Sequence, residues 1–278
     1  MQTLQFLIDT LSKERNIHIS VVDISGSLTF PDASIKFGHV VHSKDFCEIA
    51  KSSEKGAKFC LRFKKLCNSK AITEKKAFCG QCIYGIYEAA MPVVADNVVM
   101  AIVYVGNAVI DYEKTINRIE KTCSRTGVNS QELLDELPKC EHPASSEELM
   151  GIAEIVCDYI KLLCEKNPKQ KETTHWLVAA LKRYADEVEG RNPTLKELAT
   201  TYNKTEKYMG KLFDKHMGMS FSRYCLILRL KKAKKLILST DDKIIDIAFE
   251  CGFDNISYFN RSFKKEYGIS PTAFRNKA

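Results

Sequence analysis

Two rhythms of apolar residues divide this chain. Over the first 165 residues, stretches with 3.6-residue spacing alternate with strand-like runs; from His175 onward almost every apolar position fits a helix. Leu4, Leu7, Ile8 and Leu11 predict an amphipathic helix over residues 2–14. The segment IHISVVDISGSLTF, β-branched on both sides of Ser25-Gly26, predicts a β-hairpin. A lysine-rich helical region follows from His42 to Cys67. Residues 91–94 and 98–105 predict two strands joined by a turn at Asp96-Asn97. The second strand is apolar on both faces and so belongs in the middle of a sheet. Helices are predicted over 113–126, 130–137 and 146–165. The last has an apolar face wide enough to serve both the sheet and a dimer contact.

The second rhythm begins after a polar stretch, 166–174, that reads as a linker. Trp176, Leu177, Ala180, Leu181 and Tyr184 form one helical face, and Thr194 is placed to cap the next helix. The segment KTEKYMGKLFDKHMG and the long SFSRYCLILRLKKAKKLIL continue the pattern. In the closing stretch, Ile244, Ile245, Ile247 and Ala248 form a short helix that Asp241 or Asp242 can cap. Gly252 breaks it, a second helix starts near Asp254-Asn255, and Gly268 and Pro271 stop that one. Helix, glycine turn and basic helix make a helix-turn-helix, whose second helix enters the DNA major groove. Tyr208, Phe213, Tyr258, Phe259 and Phe263 are expected in the core.

Charge sharpens this division. The 278 residues carry a net +7. From Thr173 onward there are 20 Lys and Arg against 12 Asp and Glu, and before it 22 against 23. The excess positive charge thus belongs to the helical part, the footprint of a polyanion-binding module joined to a neutral one. No apolar stretch is long enough to span a bilayer. The opening MQTLQFLIDTLSKERN lacks a basic segment before an apolar core, so a cytoplasmic protein without membrane contact is expected.

Eleven cysteines, an odd number in a chain read as cytoplasmic, argue against a disulfide framework. Cys60, Cys67, Cys79 and Cys82 have enough thiolates for zinc or an iron–sulfur cluster, although only the Cys79/Cys82 spacing is a usual metal bite. Metal ligation, buried or pocket-lining thiols and redox sensing all remain open at this point. The histidines are scattered; only His39 and His42 lie close, and they read as part of a surface loop. No catalytic constellation is visible, so neither an enzyme nor an enzymatic cofactor is expected.

The run from Gly252 through Phe253, Ser257, Tyr258, Phe259, Arg261, Phe263, Lys264, Lys265, Gly268, Ser270, Pro271 and Phe274 to Arg275 resembles the second helix-turn-helix of the AraC family of bacterial transcription regulators. Leu212-Phe213, Gly218, Arg229 and Ala233 resemble the family's first unit and its linking helix. The resemblance covers His175 to Arg275. It implies base-facing positions at Lys207, Gly210 and Lys211 in the first unit and at Ile256, Ser257, Asn260 and Arg261 in the second. Arg261 or Lys211 suits guanine, Asn260 adenine and Ile256 a thymine methyl, with Ile256 equally a packing residue. Lys264 reads as a phosphate contact.

The first 165 residues resemble the PocR sensory domain, a PAS-related module of some AraC-type regulators. The matched features are Phe46-Cys47, Gly56 to Cys60, Cys79, Tyr84-Gly85, Glu88, Met91-Pro92-Val93 and Gly106-Asn107. Cys82, Ile83, Tyr84 and Gly85 stand where that family usually has a Cys-His pair followed by Gly-Leu. The resemblance implies a pocket for a small organic molecule, such as an alcohol or diol. Its candidate lining residues are Phe46, Cys47, Cys60, Cys79, Tyr84, Glu88 and Tyr104.

The expected architecture is therefore an α+β, PAS-like sensor over 1–165, a linker over 166–174 and an all-α domain with two helix-turn-helix units over 175–278. The expected protein is a ligand-responsive regulator that binds double-stranded promoter DNA as a homodimer, with RNA polymerase as a further partner. A metal or redox sensor on the same frame is the alternative. An Ada-type methyl acceptor also joins four cysteines to such a domain, but the neutral first half and the cysteine spacing argue against it.

Overall fold

The structure, a computed structural model, describes residues 2–42, 44–142, 144–167, 175–187 and 194–276. The linker expected over 166–174 lies, from residue 168 on, outside the described residues. The chain forms two compact units. One comprises Met1–Glu172 together with Ala199–Lys204, the other Thr173–Leu198 with Thr205–Ala278.

The first unit is built on an antiparallel sheet of β1 (His18–Asp23), β2 (Phe78–Gln81), β3 (Tyr87–Ala95) and β4 (Val98–Ala108), in the order β1-β4-β3-β2. Asp96 and Asn97 turn the β3–β4 hairpin with φ of 49° and 60°, the left-handed conformation that two-residue hairpin loops demand. β4 is central, as its two apolar faces require. The hairpin expected at Ser25-Gly26 does not form. β1 pairs with β4, and the chain beyond it wraps around the Asp23 carboxylate, which accepts hydrogen bonds from the N–H groups of Ser25, Gly26, Ser27 and Leu28. Those amides are satisfied locally and need no second strand.

Helices cover the sheet. α1 (Leu4–Leu11), α2 (Asp45–Ala50), α3 (Glu54–Glu74), α4 (Tyr112–Thr126), α5 (Ser130–Glu136) and α6 (Ser146–Lys166) lie close to the predicted ranges. α6 packs on β3 and β4. Its Leu149 and Ile160 are fully buried in the chain's own core, so they are no candidates for a contact with a second copy. Ile155 and Leu162 are the outward-facing apolar residues, 52% and 48% exposed.

The second unit is helical: α7 (Trp176–Glu187), α8 (Leu195–Thr201), α9 (Glu206–Met217), α10 (Phe221–Ser239), α11 (Ile244–Glu250), α12 (Ile256–Tyr267) and α13 (Pro271–Arg275). The last residues of α8 group with the first unit. α10 lacks a single apolar stripe because α7, α9, α11, α12 and α13 all pack around it. Arg229 on α10 donates to the carbonyl of Gly252 at 2.8 Å and lies over the Phe253 ring, which ties the linking helix to the turn between α11 and α12. Gly252, at φ 76°, supplies the left-handed residue that this turn needs. Neither Asp241 nor Asp242 caps α11; the N-cap is Lys243, with no side-chain bond.

Candidate functional site

Two regions gather the predicted residues, one in each unit. In the first, a partly enclosed cavity of about 60 Å³ lies between α3 and the sheet. Phe46, Cys47, Cys60, Tyr84 and Glu88 border it. Cys79 and Tyr104 line a neighbouring, more open cavity of about 290 Å³. Phe63, Cys82 and Glu88 border both. Tyr84 is chiefly a strut, since its hydroxyl lies within hydrogen-bond distance of the Ala50 carbonyl, at 3.1 Å, and of the Thr126 hydroxyl, at 3.2 Å.

The sheet delivers Glu88 through an irregularity. Tyr87 pairs with Ala108 and Ala89 with Val105, so Glu88 faces both Gly106 and Asn107 of β4. This is the two-against-one arrangement of a β-bulge, which re-aims side chains beside sites. Gly106 leaves the room: a Cβ there would meet Glu88 Cγ at 3.1 Å and Cβ at 3.2 Å. The Gly106-Asn107 pair thus has a steric purpose.

Sequence reasoning missed the partners of Glu88. His42 Nε2 lies 2.7 Å from Glu88 Oε1, and Lys64 Nζ lies 3.8 Å from the same oxygen. Lys64 Nζ is also 2.9 Å from His42 Nε2 and sits 3.0 Å from the centroid of the Tyr104 ring, a cation–π contact. One imidazole nitrogen therefore faces a carboxylate and an ammonium at once; it can donate to the first or accept from the second, not both. Burial pushes the Glu88 carboxyl up, but His42 and Lys64 outweigh it and hold the group well below the ordinary carboxylate range. Burial pulls His42 and Lys64 down. His18, stacked on His39 and edge-on to His42, is lowered to about 3, first by burial and then by those two rings. The expected surface pair is thus a three-histidine cluster against β1. No sequence signal distinguished Lys64 from the other lysines of α3.

The four-cysteine set is not assembled. Cys60 borders only the smaller cavity, Cys67 and Cys79 only the more open one, and Cys82 both. Among the described residues no three His, Cys, Asp or Glu side chains are placed to hold a metal ion. Cys79 lies in β2 and Cys82 just past its end, not on the tight loop that a chelating pair needs. Burial, chiefly, raises Cys79, takes Cys67 to about 11 and Cys82 to about 12, favouring thiols over the thiolates that ligate metals.

In the second unit, α9 and α12 are built alike. Thr205 and Asn255 cap them, accepting from the N–H groups of Tyr208 and Tyr258. Met209 and Phe213 are buried in one, Phe259 and Phe263 in the other, and Gly218 and Gly268 close both in the left-handed conformation. Ser220 and Ser270 then cap the helices that follow. On the outer faces, Lys207, Lys211, Ser257, Asn260, Arg261 and Lys264 are exposed. Gly210 offers only backbone, and a Cβ there would meet Leu195 at 3.4 Å. Ile256 is half-buried against the core formed by α10, α11 and α12, which favours its packing role.

Tyr208 and Tyr258 correct the expectation that both are core: each is 45% exposed, at matching positions one residue before the buried Met209 and Phe259. The matching caps Thr205 and Asn255 fix the helical phase, and that phase turns these rings outward beside the lysines and Arg261. The repeated cap-x-x-Tyr spacing was the available signal.

The family described as "Sensory domain found in PocR" matches residues 1–167, and one described as "Helix-turn-helix domain" matches residues 198–277. The transcriptional activator RhrA of Rhizobium meliloti is 35% identical over 115 residues, 40% of this chain and 36% of that protein. The HTH-type transcriptional regulator YisR of Bacillus subtilis is 28% identical over 139 residues, 49% of this chain and 47% of that one. The chain thus spans less than half the length of these curated relatives. The solved C-terminal domain of AraT, a response regulator from Geobacillus stearothermophilus, covers 38% of this chain and 89% of its own at 29% identity, with a TM-score of 0.37.

Proposed function

The chain belongs to the PocR sensory-domain family and carries an AraC-type helix-turn-helix domain, and we propose that it regulates transcription in response to a small neutral organic molecule held in the cavity beside Glu88. The observation that carries this reading is the buried, mutually compensating pair of Glu88 and Lys64 in an otherwise largely apolar enclosure. Both charges are already answered, so a charged ligand brings an unpaired charge into a mostly apolar site at high cost. A hydroxyl or carbonyl group instead pairs with Glu88, His42 or Lys64 while a short hydrocarbon part meets Phe46 and Ile86. The volume is below the ~150 Å³ that admits benzene, which favours molecules of a few heavy atoms. Helices α2 and α3, interposed between β1 and the β2-β3-β4 meander, support a PAS-like reading of this unit.

The matched α9 and α12 support recognition of two major-groove segments of double-stranded DNA by the exposed residues named above, with Tyr208 and Tyr258 added. Among the described residues no helix is long and apolar enough to cross a membrane.

A random duplex library, selected on the full chain, tests the DNA part. The affinity for the selected duplex is then measured with two- to four-carbon alcohols and diols and with the corresponding carboxylates. A neutral compound is expected to shift Kd by about fivefold or more, the lower end of allosteric coupling, while the carboxylates do not. A library without an enriched sequence overturns the regulator reading, and an equal response to the acids overturns the neutral ligand.

A second copy of the chain is the proposed partner of α6. Ile155 and Leu162 lie one heptad apart on its outer face, the first turn carries Glu147 and Glu148, and the last turn carries Lys166. Antiparallel pairing of two such helices sets acidic ends against basic ends in a self-complementary contact. Sedimentation of an Ile155→Glu, Leu162→Glu variant is expected to show a monomer where the unaltered chain is dimeric; an unchanged mass removes this assignment.

A further inference from the structure

We propose that α3 carries occupancy of the cavity to the segment Ala199–Lys204, through the side-chain amide of Asn68. This regulation rests on the small-molecule reading above. Cys60, Lys64 and Asn68 follow one another at four-residue spacing and so share one face of α3. The first two line the smaller cavity. Asn68 is fully buried. Its oxygen accepts from the Tyr104 hydroxyl, and its nitrogen donates to the carbonyls of Thr200 at 3.1 Å and Thr201 at 2.9 Å.

Those carbonyls lie in the last turn of α8, where helix carbonyls run out of intrahelical N–H donors; Thr200 also accepts from the Asn203 N–H at 3.1 Å. Asn68 is therefore a cap supplied from another element. The segment it holds runs from α8 into the turn before α9 and falls within the region matched as a helix-turn-helix, yet it packs as part of the first unit. Nothing in the sequence predicted this division.

The chain of contact back to the cavity is short. Tyr104 orients Asn68 by occupying its oxygen, Lys64 lies on the Tyr104 ring, and Glu88 holds Lys64. A ligand group that takes Glu88 or Lys64 as its partner changes where the ammonium sits on that ring. The Asn68 amide has both its oxygen and its nitrogen engaged, so a shift of Tyr104 leaves a buried polar group unsatisfied or loosens the cap. Either outcome separates two states of the α8–α9 turn, which a ligand needs if it is to shift an equilibrium.

Hydrogen exchange of the full chain, read on peptides spanning Ala199–Lys204, tests the relay without any ligand. Tyr104→Phe removes one hydroxyl and Glu88→Gln removes the charge that holds Lys64. Each is expected to speed exchange there by about fivefold, the worth of one neutral hydrogen bond. In an Asn68→Ala background, Glu88→Gln is expected to add nothing further. If both single variants leave this segment at the unaltered rate, the relay is overturned. Should Glu88→Gln fail to fold, Tyr104→Phe alone decides. The alcohol and diol panel, measured by calorimetry, separates the two readings. A compound that binds without changing exchange at 199–204 sinks the relay and leaves the sensor standing. If the variants alter exchange but no compound of the panel binds, the relay stands and the ligand reading falls.

Discussion

Glu88→Ala is expected to destabilise the first unit by about 3–5 kcal/mol, because it strands the Lys64 ammonium in the interior. Lys64 and Glu88 are both mostly buried, with side chains 15% and 16% exposed. Burial already pulls the Lys64 ammonium below its ordinary range, and the Glu88 carboxylate is the largest influence opposing that. Without it, the ammonium is left against the His42 nitrogen and the face of Tyr104, with no carboxylate to answer it among the groups that act on it. For a unit of this size the loss corresponds to a fall in melting temperature of about 10 °C. Lys64→Met in the same chain should restore most of it, since an apolar side chain of similar length fits where no carboxylate needs an answer. The measurement is a double-mutant cycle by urea denaturation. Should Lys64→Met cost as much in the Glu88→Ala background as alone, the two groups are not coupled and the neutral-cavity reading loses its base.

That pair also shows where sequence reading stops. Glu88 was legible because it matches a family position. Its partners come from far along the chain, and nothing local separates Lys64 from Lys58 or Lys65 on the same helix. Features set by short-range sterics were readable: the Asp96-Asn97 turn, the Gly252 break and the apolar run of β4 all occur where predicted. The opening hairpin was misread because period-2 patterning registers extended chain without naming its partner, and the Asp23 carboxylate takes up the amides that a second strand would have used. The wide apolar face of α6 was seen correctly, but composition alone did not tell which residues meet the sheet. Leu149 and Ile160 are fully buried, while Ile155 and Leu162 face outward. The same uncertainty of helical phase put Tyr208 and Tyr258 in the core.

Arg261→Ala is expected to abolish discrimination at one base pair while leaving binding and the choice of the other bases in place. Arg261 is exposed on α12, one turn beyond Ser257 and next to Asn260, on the face opposite the buried Phe259 and Phe263. A guanidinium in that position reads guanine O6 and N7 with two hydrogen bonds, worth about 1–3 kcal/mol of discrimination, or roughly 5- to 150-fold in relative affinity. Lys264, one turn nearer the C-terminus of α12, is the control. As a phosphate contact it contributes to every sequence alike, so Lys264→Ala should weaken all duplexes together and reduce the salt dependence by about one released counterion. The two variants thus differ in kind. Titrating each against the selected duplex and against versions with single guanines replaced, at two salt concentrations, resolves them. If Arg261→Ala lowers every affinity equally and flattens the salt dependence, then Arg261 holds phosphate. Sequence choice would then rest on Ser257, Asn260 and the two exposed tyrosines, whose rings reach beyond the short polar side chains beside them.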